Sequence, residues 1–186
     1  MRIADKPFQL PRDLTSQIKF ISPNLFELKA IINVLNNDNL EISETTAGRK
    51  EILKISKELL DAVRERFDCI ILTLGEHGVI ISRKIGATNF FNEHFEYIPP
   101  SGKYKNHFYE IEPVKNIVNV SGAGDSFTSG FIASMLKGKH EKECVQFGFH
   151  AAKCALRSES AVPKEYSFEE VQNDLHSRSE AKFMYI

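Results

Sequence analysis

The chain predicts an α/β fold, a mostly parallel sheet flanked by helices, and three observations carry that expectation. Cys69 to Leu74 (CIILTL) is an unbroken apolar run of strand length. Runs of this kind belong where a parallel sheet is covered on both faces. Ile18 to Ile21 (IKFI) is a second short apolar strand that leads directly into a segment of helical periodicity. The last third reads as two helices separated by a glycine.

Taken in order, residues 1–17 are polar and interrupted by Pro7 and Pro11, hence a loop or tail. The IKFI strand ends before Pro23, and a helix from about Asn24 presents Leu25, Leu28, Ile31, Ile32 and Leu35 on one face. Asn36 to Glu44 is a polar connection. A longer amphipathic helix follows from about Ala47 to Phe67, with Ile52, Ile55, Leu59, Leu60 and Val63 inward. After CIILTL, Gly75-Glu76-His77-Gly78 makes a tight turn into a strand at Val79 to Ser82, with His77 an exposed turn residue.

Phe90, Phe91, Phe95 and Tyr97 suggest strands at a sheet edge, closed by Pro99-Pro100. Ser101 to Glu110 (SGKYKNHFYE) reads as a solvated loop whose Lys103, Lys105 and His107 either help screen phosphate charge or, as is commoner for a basic loop, form plain surface. Asp125 to Leu136 is a helix stopped by Gly138, and Glu141 to Leu156 is a second. Gly148, Ala151, Ala152 and Ala155 give that second helix small, close-packing positions. Phe168 to Leu175 forms a short last helix, and the residues after His176 form a tail. The resulting division is a leading tail (1–17), a folded portion (18–175) and a closing tail (176–186).

Composition narrows the function. A chain of 186 residues can bury the core of one ordinary domain. Its formal net charge of -1 gives no electrostatic case for a nucleic-acid polymer as partner. Three cysteines in apolar or helical settings suit a reduced interior better than a disulfide framework. No apolar run reaches membrane length, and MRIADKPFQLP lacks the apolar core of a signal peptide. A cytoplasmic protein without a membrane partner is expected.

The chemistry concentrates in Asn119 to Phe131 (NVSGAGDSFTSGF). Small residues from Ser121 to Gly124 make a turn that opens a helix, and the unpaired N–H groups of a first helical turn attract anions. A carboxylate at Asp125 would repel a phosphate held there. It fits instead a base that removes a proton from a hydroxyl while the backbone stabilises the moving charge. An ordinary capped helix start is the bland alternative.

SGAGDSF resembles the C-terminal signature of the ribokinase-like (PfkB) family of carbohydrate and nucleoside kinases. The resemblance implies that Gly122, Ala123 and Gly124 form an anion hole for the transferring phosphate and that Asp125 deprotonates the acceptor. It extends to Asn24 and Glu27, an Asn-x-x-Glu pair that in the family belongs to the network holding hydrated magnesium. The same spacing is also that of a capping box, and both roles stay open. Thr73, Gly75 and Gly78 match the family's TLGxxG pattern beside the nucleotide phosphates. In the family the last long helix and the loop after it line the adenine pocket, which makes His150 and Ser158 to Val162 candidates. Cys144, His150 and Cys154 are spaced along that helix so that the three side chains do not converge on a metal.

The implied reaction is ATP-dependent phosphoryl transfer, with Mg2+, to a hydroxyl of a nucleoside or sugar. Family members usually have Asp-Thr-x-Gly-Ala-Gly-Asp where this chain has Asn119-Val120-Ser121, and the replaced residues serve a monovalent-cation site in some of them. Such a cation is therefore not expected here. The Asn-Val-Ser variant looks most like pseudouridine kinases, which favours pseudouridine and its 5′-phosphate as the substrate and product. The resemblance covers roughly Phe20 to Val162, the C-terminal half of the family's length. A homo-oligomer or a complementing N-terminal half would then cover the cut sheet, and the isolated chain is expected to be incomplete as an enzyme. A non-catalytic nucleotide-binding or partner-binding module that keeps the half-fold is the alternative. A dinucleotide-binding oxidoreductase is disfavoured because the glycine turn comes late and no early strand–GxGxxG–helix unit precedes it.

Overall fold

Two short apolar strands set the frame. In the computed structural model, which describes residues 17–36, 48–85, 103–160 and 183–185, β1 (Phe20–Ile21) lies parallel to β2 (Cys69–Thr73). The helix expected at Phe168 to Leu175, the strands expected around Phe90 to Tyr97 and the end of the Ser158–Val162 loop lie outside the described residues. Sheet order is β1-β2-β3-β4-β5, with β3 at Val79–Lys84, β4 at Tyr104–Tyr109 and β5 at Phe183–Tyr185. β2 is the buried strand that its sequence predicts, but its two neighbours differ. It runs parallel to β1 and antiparallel to β3, because a turn as short as Gly75–Gly78 cannot make a parallel crossover.

The chain divides into two compact units. One comprises Met1–Lys84, Tyr104–Phe108 and Tyr185–Ile186; the other comprises Ile85–Lys103 and Tyr109–Met184. The first unit is built on large aliphatic side chains. α1 (Leu25–Asn36) and α2 (Arg49–Val63) turn Leu28, Ile32, Leu59, Leu60 and Val63 onto Ile70, Leu72 and Ile80 of the sheet. Leu25, Ile31, Leu35, Ile52 and Ile55 pack partly buried around that cluster, as their periodicity predicts.

α2 stops earlier than its pattern suggests. Val63 leaves helical geometry (φ -128°) and a 3₁₀ turn at Arg64–Arg66 follows. The break lets Arg64 to Arg66 face water while Phe67, 4% exposed, enters the core.

The second correction is at Tyr104–Tyr109, which is β4 and not a solvated loop. Its aromatic residues suit a pleated, half-buried surface. Phe108 and Tyr109 are buried, and the Tyr104 hydroxyl donates to the Phe67 carbonyl. Arg64 and Lys84 lie over the Tyr104 ring, and Lys84 also pairs with Asp68 at 3.2 Å. Burial, followed by the charges of Glu65 and Asp68, pushes the Tyr104 hydroxyl pKa well up. Phe183–Tyr185 likewise form a strand inside the segment expected to be a tail.

The second unit is organised by α3 (Ala123–Leu136) and α4 (Glu141–Leu156). These helices pack through glycines. A Cβ on Gly148 would come within 2.7 Å of the Phe127 ring, and one on Gly130 within 2.8 Å of the Phe147 carbonyl oxygen. Phe127 fills the space so created and also meets Phe149, with ring centroids 5.3 Å apart. Gly138 stops α3 as expected: at φ 72° its N–H donates to Met135 and that of Lys139 to Ser134, the two bonds of a Schellman cap. Among the described residues no helix is long and apolar enough to cross a membrane.

Candidate active site

In the first unit the candidate residues gather where the two parallel strands end. Asn24 follows β1 and bridges Thr73, the last residue of β2. The Thr73 N–H and hydroxyl donate to the Pro23 carbonyl at 3.0 and 3.4 Å. Carboxyl ends of parallel strands are where open α/β sheets bind ligands. Gly75 and Gly78 shape the turn just beyond: their φ values of 58° and 116° lie where side chains are disfavoured. Leu74 N–H closes that turn on the Gly78 carbonyl at 2.9 Å. His77 is half-buried, its Nε2 4.0 Å from Glu76.

Asn24 and Glu27 are engaged with each other. The Glu27 N–H donates to Asn24 Oδ1 and the Asn24 N–H donates to Glu27 Oε2, both at 2.9 Å. That is a complete capping box. Glu27 is exposed, and its second oxygen, Oε1, is free of that box. Its carboxylate therefore keeps a whole oxygen for a hydrated cation, whereas Asn24 Oδ1 has one of its two lone pairs taken by the Glu27 N–H.

In the second unit the glycine turn has the opposite character. Gly122 is left-handed (φ 77°, ψ -1°), and α3 has no side-chain N-cap. The first N–H bonded within the helix is that of Ser126, which donates to the Gly122 carbonyl at 2.9 Å. The N–H groups of Ala123, Gly124 and Asp125 precede that bond and are the orphan donors of a helix start. A Cβ at Gly124 would meet nothing within 4 Å, so the surface beside those donors is open. Asp125 is exposed, and its carboxylate has no hydrogen-bond or ion-pair partner among the described residues. Three N–H donors, an open approach and an uncommitted carboxylate fit a phosphate and a hydroxyl better than a self-contained cap.

Two features of this loop escape sequence reasoning. Asn119 Oδ1 accepts the Ser121 N–H at 2.9 Å, and the N–H groups of Val118 and Asn119 donate to the Leu156 carbonyl at 2.8 and 3.2 Å. Asn two residues before a small polar residue is an Asx-turn signal that could have revealed the first. The second joins the loop before α3 to the end of α4, where the candidate segment from Ser158 begins. His150 stands elsewhere, half-buried in α4 and roughly 9 Å along the helix axis before Leu156. Cys144 is fully buried, and burial followed by the charges of Glu143 and Glu141 pushes its thiol up to about 12. It is an inert core thiol.

Comparison with known proteins fits this geometry. Residues 3–165 match the pfkB family carbohydrate kinases, and the chain belongs to that family. The pseudouridine kinase of Arabidopsis thaliana is 23% identical over 87% of this chain and 50% of its own length. Arabidopsis thaliana ribokinase is 38% identical over a shorter match, 28% of this chain and 14% of the relative. Among solved structures, Arabidopsis thaliana ribokinase complexed with ribose and ATP superposes with a TM-score of 0.59 at 21% identity, covering 92% of this chain and 45% of that one. A nucleoside kinase from Methanocaldococcus jannaschii gives 0.56 at 20% identity, covering 89% and 42%. The fold is ribokinase-like. The chain spans half or less of the length of each of these relatives.

Proposed function

We propose that this chain carries the nucleotide side of an ATP-dependent kinase whose acceptor is a hydroxyl of a nucleoside or sugar, with pseudouridine favoured. The observation that carries the reading is the uncapped start of α3, with orphan N–H groups beside an uncommitted Asp125. The carboxylate takes the proton of the acceptor hydroxyl, and the oxygen so freed bonds to the terminal phosphorus of ATP. The bond from that phosphorus to the bridging oxygen breaks and ADP leaves. The N–H groups of Ala123, Gly124 and Asp125 meet the charge on the transferring group's oxygens. Magnesium, when bound, would neutralise phosphate charge, and Glu27 Oε1 is the oxygen free to hold its water shell.

Thr73, Gly75 and Gly78 are assigned to the nucleotide phosphates, and His150 to the adenine side. Pseudouridine is favoured by the Asn-Val-Ser approach to Gly-Ala-Gly-Asp and by a pseudouridine kinase match that spans most of this chain. Cytoplasmic location accords with this reading. Because the match covers half of that relative, a nucleotide-binding module that acts through a partner is the second reading.

Calorimetric titration of the full chain with Mg-ATP tests the proposal, beside Gly122→Val. A β-branched residue at φ 77° is strained and reshapes the turn, so the variant should lose at least about tenfold in affinity. Absence of binding by the folded parent would overturn the nucleotide reading. Phosphoryl transfer to pseudouridine, ribose and adenosine with a complementing N-terminal half present, assayed side by side as ADP and phosphorylated acceptor, then decides between kinase and module and ranks the acceptors.

A further inference from the structure

The approach to the glycine turn is held by two sets of bonds. Behind it, the Leu156 carbonyl accepts N–H groups from both Val118 and Asn119. This carbonyl belongs to the last turn of α4 and has no donor within its own helix. Ahead of it, the Asn119 amide oxygen accepts the Ser121 N–H at 2.9 Å and closes a turn over Val120. Val120 itself is 73% exposed, so packing does not fix its course. The path from that turn to Gly122, at φ 77°, therefore depends on the Asn119 side chain.

We propose that Asn119 is the positioning residue of the phosphate turn. Its side chain holds Ser121, and through Gly122 it sets the direction of the N–H groups of Ala123 to Asp125. Its own N–H ties that arrangement to α4. The inference rests on the phosphate-binding role assigned above, and it adds a consequence for cations. Relatives with Asp-Thr at these positions are expected to place a monovalent cation beside the anion hole. Here the donor set does not fit: Asn119 brings a neutral amide in place of a carboxylate, with one lone pair of its oxygen taken by the Ser121 N–H, and Val120 offers no side-chain oxygen. Internal hydrogen bonds close the turn instead.

The test pairs two readouts on the full chain, Mg-ATP affinity by calorimetry and amide exchange at Ser121 by NMR. Losing one exposed hydrogen bond corresponds to roughly a fivefold change in an equilibrium. Asn119→Ala should weaken Mg-ATP by about that factor and speed Ser121 exchange by a similar one. Asn119→Asp keeps an acceptor oxygen and should restore slow exchange. Exchanging KCl for NaCl at equal ionic strength should leave parent affinity within about twofold.

Parent-like affinity in Asn119→Ala, or unchanged Ser121 exchange, overturns the positioning role. A clear preference for potassium overturns the cation consequence. A folded parent that binds no Mg-ATP removes the phosphate role. In that case faster exchange in Asn119→Ala would leave Asn119 as the residue that shapes the turn, and nothing more.

Discussion

Two helices of this chain begin beside candidate site residues, and they begin in opposite ways. α1 is closed by its own side chains, with Asn24 and Glu27 each accepting the other's N–H. α3 starts from a left-handed glycine, has no side-chain cap, and leaves the Asp125 carboxylate without a partner among the described residues. At α1 the first turn has little left to offer beyond one carboxylate oxygen. At α3 the donors and the carboxylate are both available. A satisfied helix start needs no ligand to explain it, whereas an unsatisfied one with an acid at its mouth has chemistry available.

Asp125→Asn probes the contrast most severely. If the carboxylate is the base, transfer to the best acceptor, measured with a complementing N-terminal half present, should fall by about 10²–10⁴-fold. Mg-ATP affinity should hold or tighten, because a negative charge near the phosphates is gone. Transfer at the parent rate would remove the base role. An affinity loss equal to the rate loss would make Asp125 a binding residue and bring α3 closer to α1 in kind.

Glu27→Gln asks whether α1 is only a cap. An amide oxygen can still accept the Asn24 N–H, so stability should move by no more than about 0.5 kcal/mol. The charge that would hold magnesium's water shell disappears. The magnesium concentration needed for half-maximal ATP binding should then rise by about tenfold, the scale of an outer-shell change. An unchanged magnesium requirement would leave α1 with a purely structural start.

The contrast between these helix starts explains what the sequence could reveal. Apolar period exposed α1, α2 and β2, because Leu28, Ile32, Leu60, Ile70 and Leu72 sit inside one aliphatic cluster. Gly138 and the Gly75–Gly78 turn were legible because only glycine takes their backbone angles without strain. β4 was hidden because Asn106 stands between Tyr104 and Phe108 on the face where an alternating strand would carry a third apolar residue. The strand after β2 was legible from the Gly75–Gly78 turn, whose shortness also fixes its antiparallel direction, whereas the apolar run of β2 taken alone does not encode direction. At the site, residue types revealed Gly122 to Asp125. They could not show that Asn24 and Glu27 are engaged or that Asn119 closes the approach, since a hydrogen bond depends on where the backbone turns.

Asn24→Ala carries the smallest expected effect and isolates the cap. Alanine leaves the Glu27 N–H without its acceptor, while Glu27 can still accept from the backbone of residue 24. One half of the box is lost, at a cost of about 1 kcal/mol. The bridge to Thr73 and the Thr73 bonds to Pro23 are made by the backbone and by Thr73 itself, so the ends of β1 and β2 should keep their register. Urea denaturation should show a lower midpoint with an unchanged slope, because the surface exposed on unfolding is the same. A shallower slope would mean that the strand ends had loosened as well. No change in midpoint would mean that water replaces the Asn24 oxygen at no cost, so that the side-chain cap adds nothing to the stability of α1.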